Sequence, residues 1–425
     1  MSNPHDLSDG RAATHDPYVP ALDGLRGLAA LLVAGAHYMT MEGGAPLSEI
    51  VQTLTGLGMT LFFVLSGFVI HYNYNATITR PGGLRLFFVA RFARLYPLYI
   101  ILILFDFAYT GLTARGACGQ IGAPGEHWTG LGFYLTLTQT WLYAVICRAS
   151  LEFQYGPVAA VSWSISVEVF FYLVYVALAA LIVWRRWTAR EVIGVAAAAY
   201  IFIFIYFSLC SYYEQDINRI GLDLFGPAAS TANGYENSLL RWLLYFNPAA
   251  RLGEFLAGLA AANIYLVTRQ RSATLGPAAA SAMTLAAIAL TVGLHLWLYG
   301  VIAPGNSFVG RTASQLSAPL VAVTVYLIAR YETPSSHILS LSLPVRLGAA
   351  SYSIYMLHEI VPSAFKRLGL QSPDPAVGWV TWAGALILLV MISSASYALI
   401  ERPARTWLRA LLAPRRAPVL TAPDS

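Results

Sequence analysis

The sequence predicts an all-α polytopic membrane protein with about ten transmembrane helices, and three observations predict it. First, 57% of its 425 residues are hydrophobic and only 11% are charged, where a soluble domain would carry roughly a quarter charged residues. Second, apolar stretches of crossing length recur at about 22–40, 52–74, 86–110, 159–184, 191–210, 243–267, 277–299, 314–330, 346–365 and 377–400. Third, the arginines concentrate in alternate loops.

The third observation sets the topology. With the amino terminus cytoplasmic, the inner loops hold Arg80, Arg85, Arg91 and Arg94, then Arg185, Arg186 and Arg190, then Arg269 and Arg271, then Arg330 and Arg346. The carboxyl end adds Arg402, Arg405, Arg409, Arg415 and Arg416, and the outer loops hold far fewer cations. This pattern requires that the Thr-, Gln- and Trp-containing stretch 129–146 does not cross, so it is expected to be re-entrant or interfacial on the outer side. Residues 1–17 are polar and lack a cleavable-signal pattern. The expected division is a cytoplasmic tail at 1–17, a membrane domain at 18–404 and a basic cytoplasmic tail at 405–425, with both termini cytoplasmic. The net charge of +5 is scattered over short loops, which points to a lipid bilayer and away from nucleic acid as partner. Cys118 and Cys147 fall in the outer loop, where they either pair or remain apolar thiols, and Cys210 stands at an outer helix end.

An ionisable group inside a bilayer is costly and needs a partner or a purpose. In the first span Asp23 reads as an N-cap, placing Arg26 in the first turn, and His37 follows eleven positions later. Eleven helical residues bring the two within about 20° of one face and roughly 16 Å apart. Arg26 can reach an interface, whereas His37 must face protein or water inside the hydrocarbon. It is either a core histidine bonded to a neighbouring helix or a general base for a hydroxyl. At the inner end of the third span, Arg91 and Arg94 share a helix face that either grips phosphate bidentately or anchors the span. No GxxxxGK[ST] sequence is present, so a nucleoside triphosphate is not expected.

The run Ser162-Trp163-Ser164-Ile165-Ser166-Val167-Glu168 enters the fourth span and continues to Tyr172. Glu168 would pair with an arginine or orient an imidazole. In the ninth span Ser351, Tyr355 and His358 form a polar stripe at i, i+4 and i+7, at a depth similar to that of His37. Phe62 to Phe68, with Ser66 and Gly67, and the Arg251/Glu254 pair with Gly258 read as packing features. No two histidines or carboxylates stand at metal-ligand spacing, so no metal is expected.

Together these segments resemble the acyltransferase-3 family, integral-membrane O-acyltransferases of bacterial surface polysaccharides and some secondary metabolites. The resemblance covers about residues 18–404. It rests on Arg26 and His37 at the family's Arg/Lys-X10-His spacing, Phe62 to Phe68, Arg91 and Arg94, Trp163 to Tyr172, the Ser351-Tyr352-Tyr355-His358 element, and Glu401-Arg-Pro403. It implies a multi-pass protein of the bacterial inner membrane that moves an acyl group, usually acetyl, from cytoplasmic acyl-CoA to a hydroxyl. The implied acceptor is of carbohydrate type, a surface polysaccharide or its lipid-linked precursor, although relatives also acylate macrolide-type or Nod-factor-like molecules.

Carried onto this sequence, the resemblance implies Arg26, Arg91 and Arg94 at the nucleotide and pyrophosphate of CoA, with His37 as base or transient acyl carrier. Glu168 would orient His37, and Ser66, Trp163, Ser164, Tyr172, Tyr355 and His358 would contact substrate or support the site. The soluble SGNH-type domain that follows the membrane part of many relatives has no counterpart in this sequence. A one-step transfer is therefore expected, any second step falling to a separate periplasmic partner. The competing reading is a transporter of a polyisoprenoid-linked sugar or small solute, with His37, Glu168 and His358 as proton relay. Against it, no pair of Gly/Pro-broken helices occupies corresponding places in two halves.

Overall fold

The computed structural model describes residues 18–41, 48–112, 124–143, 156–235, 237–298, 308–370 and 375–412. Among these the regular elements are all helical. They are α1 (Pro20–Met41), α2 (Ser48–Tyr74), α3 (Gly83–Leu112), α4 (Pro124–Leu135), α5 (Pro157–Val161), α6 (Trp163–Arg185), α7 (Ala189–Tyr212), α8 (Glu214–Phe225) and the single turn α9 (Leu239–Arg241). There follow α10 (Leu252–Thr268), α11 (Pro277–Leu296), α12 (Phe308–Arg330), α13 (Pro334–Leu339), α14 (Ser342–Ala349), α15 (Ser351–Leu357), α16 (Ile360–Arg367), α17 (Pro375–Ser396) and α18 (Arg402–Leu412).

Among the described residues, seven helices are long and apolar enough to cross a membrane: Thr55–Tyr74, Gly83–Tyr109, Pro157–Arg185, Ala189–Tyr212, Pro248–Thr268, Pro277–Leu296 and Val377–Leu412. They coincide with seven of the ten expected spans, and the other three differ for local reasons. α1 is 22 residues long, but it starts at Pro20 instead of Asp23, because proline suits the first helical position. Asp23 is left inside the first turn, 3.8 Å from Arg26. The expected span 314–330 lies in α12, a 23-residue helix with Pro319 inside it.

The expected span 346–365 is a correction: it is three helices, α14, α15 and α16. The first break falls at Ala350, whose backbone (φ −90°, ψ 3°) leaves the helical region. The second follows from Pro362, which has no N–H to give the His358 carbonyl and whose ring would collide with it. Broken helix at membrane depth needs protein or a cavity around it. Every residue of α15 is buried.

The stretch near 129–146 does not form one crossing helix in its described part. α4, with 12 residues, is about 18 Å long and too short to span. Leu137 then takes φ 57° and the chain turns through Gln139–Trp141. That turn folds back onto the start of α6, where the Gln139 side chain donates to the Ser162 carbonyl and hydroxyl at 3.2 Å each. Cys118 and Cys147 lie outside the described residues, and Cys210 is a buried free thiol.

α1, α2 and α10 form the centre. α2 and α10 cross at two glycines: a Cβ on Gly67 would lie 2.0 Å from the Phe255 carbonyl oxygen, and one on Gly258 would lie 1.9 Å from that of Val64. Only glycine lets backbones approach so closely. Beside the crossing, Arg251 and Glu254 are wholly buried, 3.3 Å apart, and the guanidinium lies over the Tyr245 ring at 4.1 Å and the Trp163 ring at 5.4 Å. Glu254→Ala leaves that cation without its carboxylate and should destabilise the fold by about 3–5 kcal/mol. A thermal unfolding midpoint unchanged in nanodiscs would show the pair to be neutral.

Candidate active site

Two cavities lie one beyond the other along α1. The first, about 60 Å³, is lined by Arg26, Ser66, Arg94, Ser164, Glu168 and Tyr352. The second, about 290 Å³, is lined by His37, Trp163, Arg241, Tyr245, His358 and Glu359. Met59 and Tyr355 line both, so these two side chains form the partition. The helical spacing of Arg26 and His37, roughly 16 Å along one face, is what places one residue in each cavity.

His37 holds its Nδ1 2.9 Å from the Val33 carbonyl. A carbonyl only accepts, so Nδ1 carries the hydrogen, and in the neutral ring Nε2 holds the lone pair. Nε2 points at Glu359 Oε1, 3.7 Å away. His358 repeats the arrangement: Nδ1 donates to the Tyr355 carbonyl, and Nε2 lies 4.0 Å from the same Glu359 oxygen. The two imidazoles meet edge to face with centroids 4.8 Å apart. His358 is 1% exposed and the His37 side chain 37% exposed, so of the two imidazoles His37 is the accessible one.

These three side chains also present donor atoms within 4.8 Å of one another, a set of the kind that can hold a divalent cation. Local spacing could not reveal it, because positions 37 and 358 meet only in the fold.

The carboxylate beside His37 is that of Glu359; Glu168 stands elsewhere. Glu168 accepts from the Tyr172 hydroxyl at 2.7 Å and from the Ser66 hydroxyl at 3.4 Å, in the Arg26 cavity. An unbroken helix through 346–365 would turn Glu359 about 100° away from His358. The turn at His358–Glu359 instead aims both at one point, and Pro362 was the sequence signal for that turn.

The two arginines of the third span separate as well. Residues three apart on a helix point about 60° apart, and here the difference sends them to different places. Arg94 opens into the Arg26 cavity. Arg91 is buried, with Nη2 3.2 Å from the Tyr74 hydroxyl and its guanidinium 5.0 Å from the Tyr74 ring and 6.0 Å from that of Tyr172. It lines a separate groove of about 540 Å³ between α3 and α6. Trp163 sits edge-on to Phe63 at 6.0 Å and closes the His37 cavity with Tyr245 at 5.1 Å. Tyr355 donates to the Val161 carbonyl at 2.9 Å, which fixes its ring 5.3 Å from His358.

Comparison with known proteins gives this geometry a family. The family model described as "Acyltransferase domain" (Acyl_transf_3) matches residues 19–401. The acyltransferase MdmB of Streptomyces mycarofaciens is 27% identical, over 96% of this chain and 95% of its own length. The exopolysaccharide production protein ExoZ of Rhizobium meliloti (strain 1021) is 25% identical over 83% and 90% of the two chains. Nodulation protein 10 of Rhizobium leguminosarum bv. viciae is 24% identical over 85% of each. No solved structure matches the chain. The family match runs through both cavities and nearly the whole helical bundle, and the chain therefore belongs to the Acyl_transf_3 family and is a multi-helix acyltransferase.

Proposed function

We propose that the protein moves an acetyl group from cytoplasmic acetyl-CoA to a hydroxyl of a carbohydrate-type acceptor, such as a surface polysaccharide or its lipid-linked precursor, at the bacterial inner membrane. The observation that carries this reading is the pair of cavities, cationic at one end, basic at the other, and divided only by Met59 and Tyr355. The arginine pattern supports a cytoplasmic position for the Arg26 end. There Arg26 and Arg94 meet phosphate oxygens, while the uncharged pantetheine arm extends along α1 toward His37. The passage is narrow, and the unbranched Met59 side chain is suited to moving aside.

At the other end His37 Nε2 takes the proton of the acceptor hydroxyl as its oxygen attacks the thioester carbonyl. The C–O bond forms, the C–S bond breaks, and the departing CoA thiolate takes the proton from the imidazolium. The Val33 carbonyl orients His37, Glu359 beside Nε2 balances the charge of the imidazolium that forms, and His358 packs against both. Glu168 holds Tyr172 and Ser66 at the donor side. Trp163, Tyr245 and Phe246 give the second cavity aromatic faces of the kind on which sugar rings stack. The name of the ExoZ relative, an exopolysaccharide production protein, supports an acceptor of surface-carbohydrate type.

Titration of acetyl-CoA into the protein in nanodiscs tests the donor. Saturable binding is expected, weakened at least about tenfold by Arg26→Ala with Arg94→Ala; a wild type that binds no acetyl-CoA would overturn the donor assignment. Met59→Trp tests the route. It should lower transfer by about a hundredfold by blocking the thioester's approach, with acetyl-CoA binding largely kept, whereas undiminished transfer would move the route elsewhere.

A further inference from the structure

The turn at His358–Glu359 brings three electron-pair donors to one point. The ring hydrogens of His37 and His358 are committed to the Val33 and Tyr355 carbonyls, so in the neutral rings both Nε2 atoms present lone pairs. Both face Oε1 of Glu359, at 3.7 Å and 4.0 Å. In that state no hydrogen stands between any two of these atoms, and both separations exceed the roughly 2.7–2.9 Å of a charge-assisted hydrogen bond. Nε2 of His358 is buried with no hydrogen-bond partner among the described residues, and a buried acceptor left this way costs free energy.

A divalent ion removes the conflict among these atoms. Around a tetrahedral zinc, ligand atoms at roughly 2.0–2.2 Å from the ion lie roughly 3.4 Å from one another. The three atoms here all fall within 4.8 Å of one another, so small side-chain rotations close the set. Two imidazoles and one carboxylate suit zinc better than magnesium or calcium. Each ring already donates its other N–H to a backbone carbonyl, the outer contact that fixes a metal-bound histidine. The cavity of about 290 Å³ leaves a fourth position open to water.

We propose that His37, His358 and Glu359 form an inhibitory site for zinc. The ion takes the Nε2 lone pair of His37, the same pair that otherwise accepts the hydroxyl proton, so bound zinc and proton transfer exclude one another. This rests on the reading of His37 as base given above. Arg26 and Arg94 lie in the other cavity, so the ion blocks transfer and leaves acetyl-CoA binding intact.

The test is titration of zinc sulfate into the full chain in nanodiscs, with binding followed by calorimetry and acyl transfer measured in parallel. Saturable binding should accompany loss of transfer, excess chelator should restore the rate, and magnesium at the same concentration should do neither. His358→Gln should weaken zinc at least about tenfold in both readouts, its inhibition being taken relative to its own metal-free rate. If that variant fails to fold, as read by its unfolding midpoint, Glu359→Gln decides in the same way. His337→Gln, at an exposed histidine of α13, should leave zinc affinity and inhibition unchanged.

A wild type that binds no zinc, or zinc binding and inhibition equally tight in the folded variant, would overturn the inference and leave the base reading standing. Zinc binding that is weakened by the variant yet costs the wild type no transfer would overturn both. A metal-free chain that is inactive until zinc is added would make the ion part of the catalyst and overturn the inhibitory reading.

Discussion

His37→Ala should lower acyl transfer by at least about a thousandfold, the range expected when a positioned general base is removed, while acetyl-CoA binding and the unfolding midpoint stay near wild type. The expectation follows from tautomer and access together. The Val33 carbonyl fixes the hydrogen on Nδ1, so the reactive Nε2 faces the cavity, and His358, 1% exposed, cannot substitute for it. Normal turnover by His37→Ala would remove His37 from the mechanism. Treatment with a chelator should leave the wild-type rate unchanged; loss restored by zinc would instead assign His37, His358 and Glu359 to a cation.

Glu359→Gln should lower kcat by about a hundredfold with little change in the donor KM, since it keeps the side chain's shape and removes the charge that balances the imidazolium. Glu359→Asp should recover part of the loss. Glu168→Gln should behave differently, raising the donor KM more than it lowers kcat, because Glu168 is bonded to Ser66 and Tyr172 beside Arg26 and Arg94. The crossed comparison of kcat and KM separates the two carboxylates. If Glu168→Gln carries the kcat loss and Glu359→Gln carries none, Glu168 is the partner of His37 and the geometric assignment fails.

The helical class and the family were legible because both are written in local terms. Length and hydropathy mark seven helices that match expected spans, and motif spacings such as Arg26 to His37 survive any arrangement of the helices. The same spacing predicted that one residue would lie far above the other on a shared face, and the two cavities of α1 follow from it. That the stretch near 129–146 forms no single crossing helix in its described part agrees with the charge pattern, since a crossing there would invert the distribution of arginines.

What local terms do not contain is direction. Arg91 and Arg94 look like one phosphate clasp in sequence, yet one is buried against Tyr74 and the other faces Arg26. Glu168 looks like the partner of an imidazole, yet the fold gives it hydroxyls and gives His37 the carboxylate of Glu359, 322 positions along the chain, at 3.7 Å. The sequence by itself determined a helical membrane acyltransferase and the residue types of its site, because composition, period and motif order depend only on neighbours along the chain. The tertiary structure alone decided which carboxylate, which arginine and which histidine meet, because those choices depend on a helix broken before Pro362 and on glycine-mediated helix crossing. Both act between segments that only folding brings together.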